Sequence, residues 1–90
     1  MTWDQLLKSQ SKEYKWLLIE YKIAADQLAA DKKMLLGTHS ETAAPENIRD
    51  KIIRDREAFR AEWAMDGRRF LALRVAHEKE INAFLQESDQ

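Results

Sequence analysis

The sequence predicts an all-α protein, folded as one long antiparallel two-helix hairpin with coiled-coil-like packing. Three observations carry this. Only two glycines and one proline occur among 90 residues. No run alternates polar and apolar residues as a half-buried strand would. Apolar residues recur instead in steps of four and three.

The first helix opens at Thr2, whose hydroxyl can cap the chain while Gln5, three residues later, reaches back, the pattern of a capping box. Asp4 in the first turn complements the helix dipole. No breaker follows until Gly37, a natural residue just past a helix end. The expected span, 3–36, is on the order of 50 Å long. Its stripe is Trp3, Leu7, Gln10, Tyr14, Leu17, Tyr21, Ala24, Leu28, Asp31 and Leu35, interrupted by polar residues only at Gln10 and Asp31.

Residues 37–44 form the expected loop, and Pro45 suits the first turn of a second helix, where a missing N–H costs nothing. That helix is expected over 45–86, with residues 87–90 frayed. Its stripe is Ile48, Ile52, Phe59, Trp63, Phe70, Leu73, His77, Ile81 and Phe84. Gly67 marks a possible kink, since a mid-helix glycine costs about 1 kcal/mol against alanine. The stripe keeps its phase from Trp63 to Phe70, so a continuous helix with Asp66-Gly67 inside it is expected. In a hairpin closed by this loop, the numbers of facing residues sum to about 84 at equal rise per residue. Tyr21 then faces Trp63, Tyr14 faces Phe70, Gln10 faces Leu73, Leu7 faces His77, Trp3 faces Ile81, and Gly67 faces Leu17.

The chain is expected to be a single domain over 1–90. Fifteen basic and sixteen acidic side chains nearly cancel, which argues against a dedicated nucleic-acid or membrane-surface protein. Cysteine is absent, excluding disulfides and thiolate chemistry. No apolar run approaches a membrane span, and the first residues show neither a basic nor an apolar leader segment, so a cytoplasmic protein is expected.

Two long helices enclose little volume. The first carries a second apolar line opposite the stripe: Trp16, Ile19, Ile23 and Met34, echoed in the second helix by Leu71 and Val75. Helices apolar on two sides are normally sandwiched. These six residues are therefore the expected partner interface, and a homodimer forming a four-helix bundle is the expected assembly. The function expected is a small protein–protein interaction module of adaptor, accessory or inhibitor type.

The alternative is a nucleic-acid-binding bundle. All seven arginines lie in the second helical stretch, and Arg49, Arg56, Arg60 and Arg74 share a face that could follow a phosphate backbone. Interleaved acids, among them Asp50, Asp55, Glu57 and Glu62, can pair with them at helical spacing and favour the protein-interface reading.

No catalytic, cofactor-binding or metal-binding residues are assigned, and no enzyme activity, cofactor or small-molecule substrate is expected. His39 and His77 fall at opposite ends of the hairpin, and neither His-Glu-x-x-His nor Glu-x-x-His occurs. His77 with Glu78 and Glu80 is read as a seam histidine beside acids.

Overall fold

The computed structural model describes residues 1–88. Helix α1 spans Trp3–Leu36, as the spacing predicts. Its N-terminus carries the expected reciprocal cap. The Gln5 N–H donates to Thr2 Oγ1 at 3.2 Å, and the Thr2 N–H donates to Gln5 Oε1 at 2.9 Å. Gly37 ends the helix at φ 57°, a conformation that costs a residue with a side chain, and its N–H bonds the Lys33 carbonyl.

The return limb is interrupted, not continuous. Helix α2 spans Glu46–Trp63 and helix α3 spans Arg68–Ser88. Pro45 lies outside α2 as its N-cap, so the loop covers 37–45. Glu87 and Ser88 are helical, where fraying was expected; Asp89 and Gln90 lie outside the described residues. The return limb as a whole is bent by only 4°. Both segments pack along α1 in a body of 65 × 17 × 11 Å.

Residues 64–67 form a turn. Ala64 leaves the helix at ψ 162°, the Gly67 N–H donates to the Ala64 carbonyl at 2.8 Å, and the Gly67 carbonyl accepts from Leu71 as α3 begins. Gly67 has no left-handed dihedral. Its need for glycine is steric, because an added Cβ would stand 2.9 Å from Ala64 N and O and 3.0 Å from Ala61 O. The nearest atoms thus belong to the preceding turn of its own limb. A straight helix drifts about 20° per heptad against a seven-residue repeat. An interruption lets the limb reset its phase against α1.

The register follows from this. Tyr21 stacks at an angle on Trp63, with centroids 6.1 Å apart, and Tyr14 meets Phe70 at 6.0 Å, both pairs as predicted. Farther along α3, toward the open end of the hairpin, the facing numbers sum to 87 instead. Trp3 meets Phe84, with ring centroids 5.5 Å apart, and the Gln10 side chain reaches the His77 carbonyl.

Little is buried. Leu6, Ala44, Ile52 and Trp63 form the core, with Gln10 as its polar member. Leu6, only 2% exposed, takes the place expected of Leu7, which is half-exposed. At 100° per residue Leu6 shares a line with Leu17 and Ala24, and Leu7 does not. Gln10 is satisfied, donating from Nε2 to the His77 carbonyl at 3.1 Å.

Candidate functional site: an uncovered apolar surface

A single layer of helices leaves both of its faces in water. The accessible surface is 7172 Å². A compact folded monomer of this mass, 10.6 kDa, would expose about 5,500 Å². The radius of gyration is 19.3 Å, against about 12 Å for a compact domain of this length.

All six nominated interface residues are exposed. On α1, Trp16 is 59% exposed, Ile19 half-exposed, Ile23 64% and Met34 82%. Leu71 and Val75 on α3 are each more than two-fifths exposed. Trp16, Ile19, Ile23 and Met34 recur on one side of α1, away from the side covered by α2 and α3.

A second apolar feature was missed in the sequence. Beside the 64–67 turn, α1 and the return limb part into an open groove of about 620 Å³. Tyr14, Leu18 and Tyr21 line one wall, and Trp63, Phe70 and Ile81 the other. The only signal for it was that Leu18 and Met65 are apolar yet fall on neither stripe. Tyr21 also touches Phe59 and Phe70, so an aromatic cluster braces the groove.

The charges around the turn act as clasps. Glu62, near the end of α2, pairs with Arg68 at 2.6 Å and with Arg69 at 3.0 Å at the start of α3. The Arg69 guanidinium also lies 4.9 Å above the Trp63 ring and 3.8 Å from Glu20 of α1. Arg74 donates to the Met65 carbonyl at 3.0 Å. At the loop, Glu41 joins Lys32 of α1 at 2.9 Å to Arg56 of α2 at 2.8 Å. Hydrogen bonds from Lys32 and then Arg56 hold the Glu41 carboxyl below the usual carboxylate range. A hydrogen bond from Arg69 does the same for Glu62.

These contacts bear on the arginine face. Arg56 is engaged by Glu41 and Arg74 by the Met65 carbonyl, while Arg49 and Arg60 lie exposed on α2. The turn puts Arg74 on a different helix from the other three.

His77 occupies the seam as expected, and its Nε2 lies 3.2 Å from Glu13 Oε2 across the α1–α3 interface. Glu80, one turn further along α3, brings a second carboxylate to the same place.

The fold and its surface define a class, a thin helical hairpin whose apolar residues outnumber the places it has to bury them. Comparison with protein families, with curated proteins and with solved structures found no match for this chain. No helix among the described residues is long and apolar enough to cross a membrane.

Proposed function

We propose that the chain is a protein–protein interaction module that pairs with a second copy of itself, forming a four-helix bundle through Trp16, Ile19, Ile23 and Met34 with help from Leu71 and Val75. The observation that carries this reading is the surplus of accessible surface, about 1,700 Å² per chain over a compact monomer. Two copies covering that surplus would bury about 3,400 Å², within the range of about 2,000–5,000 Å² of obligate pairs. The apolar content of the outer α1 face supports it, because soluble monomers rarely leave such contiguous patches in water. The groove between α1 and α3 then remains available for the helix of another protein, as in an adaptor, accessory or inhibitor.

The test is solution mass by sedimentation, comparing the wild type with Trp16→Glu/Ile23→Glu. Both positions are mostly exposed in the single chain, so glutamate there costs the isolated hairpin little. A wild-type dimer that becomes monomeric in the variant is the expected result. A well-folded wild-type monomer at micromolar concentration would end the self-association reading.

A further inference from the structure

We propose that Glu13, His77 and Glu80 form a binding site for a divalent transition-metal cation, zinc foremost, that ties α1 to α3. Each residue offers one ligand atom, and the three atoms lie within 4.8 Å of one another. Glu80 follows His77 by three residues, which sets both side chains on one face of α3, and Glu13 approaches from α1. The Gln10 amide bonds the His77 carbonyl one turn from Glu13 and holds the two helices at this register.

The chemistry favours a cation. Among the described residues, neither Glu13 nor Glu80 pairs with a lysine or arginine; the one ionic partner of Glu13 is His77 itself. Two carboxylates therefore converge on a single imidazole with no fixed positive charge to balance them. Metal–ligand distances of about 2.0–2.1 Å at tetrahedral angles place neighbouring ligand atoms about 3.3 Å apart. The His77 Nε2 to Glu13 Oε2 separation, 3.2 Å, matches such an edge. The Glu80 carboxylate lies within 4.8 Å of both, so reaching the same spacing asks at most about 1.5 Å of it, within the reach of a side-chain rotation. An imidazole with two carboxylates suits zinc, and calcium or magnesium would prefer oxygen ligands alone. Three protein ligands leave a fourth position for water or for a group from a bound partner.

The experiment is calorimetric titration of the full, untagged, chelator-treated chain with zinc chloride, beside thermal melts with and without zinc. One zinc per chain is expected, with a melting midpoint raised by several degrees as mass action requires of a ligand that binds only the folded state. Losing an outer-shell partner alone costs about 10- to 100-fold in metal affinity, so His77→Gln, Glu80→Gln and Glu13→Gln should each weaken binding at least that much. Glu80→Gln removes no hydrogen bond or ion pair seen among the described residues, so the metal-free variant should stay folded and keep the test sound if the His77 variant unfolds. Zinc binding that survives Glu80→Gln, that depends on His39 instead, or that is absent at about 1 mM zinc would overturn the proposal.

Discussion

Gly67→Ala separates two physical pictures of the return limb by the sign of one number. If residues 64–67 were ordinary helix, alanine would stabilise the chain by about 1 kcal/mol, because glycine is the poorer helix former. The turn reverses the sign. The added Cβ would meet three backbone atoms at 2.9, 2.9 and 3.0 Å, where ordinary contact begins at 3.4 Å. Backbone cannot rotate aside as a flexible side chain can, and overlaps of this kind cost about 1–3 kcal/mol. The two pictures therefore differ by about 2–4 kcal/mol. Urea unfolding followed by circular dichroism measures this directly, at one fixed protein concentration because association would add to apparent stability. The expected result is a lower midpoint for Gly67→Ala. A higher midpoint with increased helical signal would refute the turn.

Two further outcomes are expected. Gln10→Ala should cost about 1–3 kcal/mol, the loss of a buried side chain and its hydrogen bond to His77. Gln10→Leu should be nearly neutral in urea unfolding, because the His77 carbonyl keeps its helical donor; a large loss in the leucine variant would mean that the bond does more than set register. Acid should weaken the hairpin in a stated window. The Glu41 and Glu62 carboxyls are held below their ordinary value in the folded state, so their contribution is present above the unfolded-state value near 4.5 and fades as pH falls through the lower folded values. Thermal melts between about pH 5 and 2.5 should show the loss, and Glu41→Gln should flatten it. A wild-type profile unchanged by that substitution would deny the clasp any role.

The first helix was legible residue by residue, because its signals are local. Thr2 and Gln5 cap it, Gly37 stops it, and between them the apolar spacing needs no knowledge of what it packs against. The two-limbed hairpin was legible for the same reason, since a single stretch of loop and one proline separate two long periodic segments. The aromatic pairs of Tyr21 with Trp63 and of Tyr14 with Phe70 followed from counting, being set by the loop and the constant rise of a helix.

What counting could not supply was any departure from constant rise. The turn at 64–67 depends on how Ala64, Gly67 and the Arg74 side chain close around one another, and a stripe whose phase matches on both sides of Gly67 hides it. Farther along α3 the register departs from simple counting. Trp3 finds Phe84, Gln10 finds the His77 carbonyl, and Glu13 comes within reach of His77 and Glu80. The groove lies where the limbs part beside the turn, and Leu18 and Met65, apolar but on neither stripe, were its only trace in a one-dimensional pattern. The sequence by itself determined the helices and their apolar faces, since these rest on interactions within a few residues along the chain. The tertiary structure alone decided which residues meet across the hairpin, because that depends on the summed rise of every residue between them.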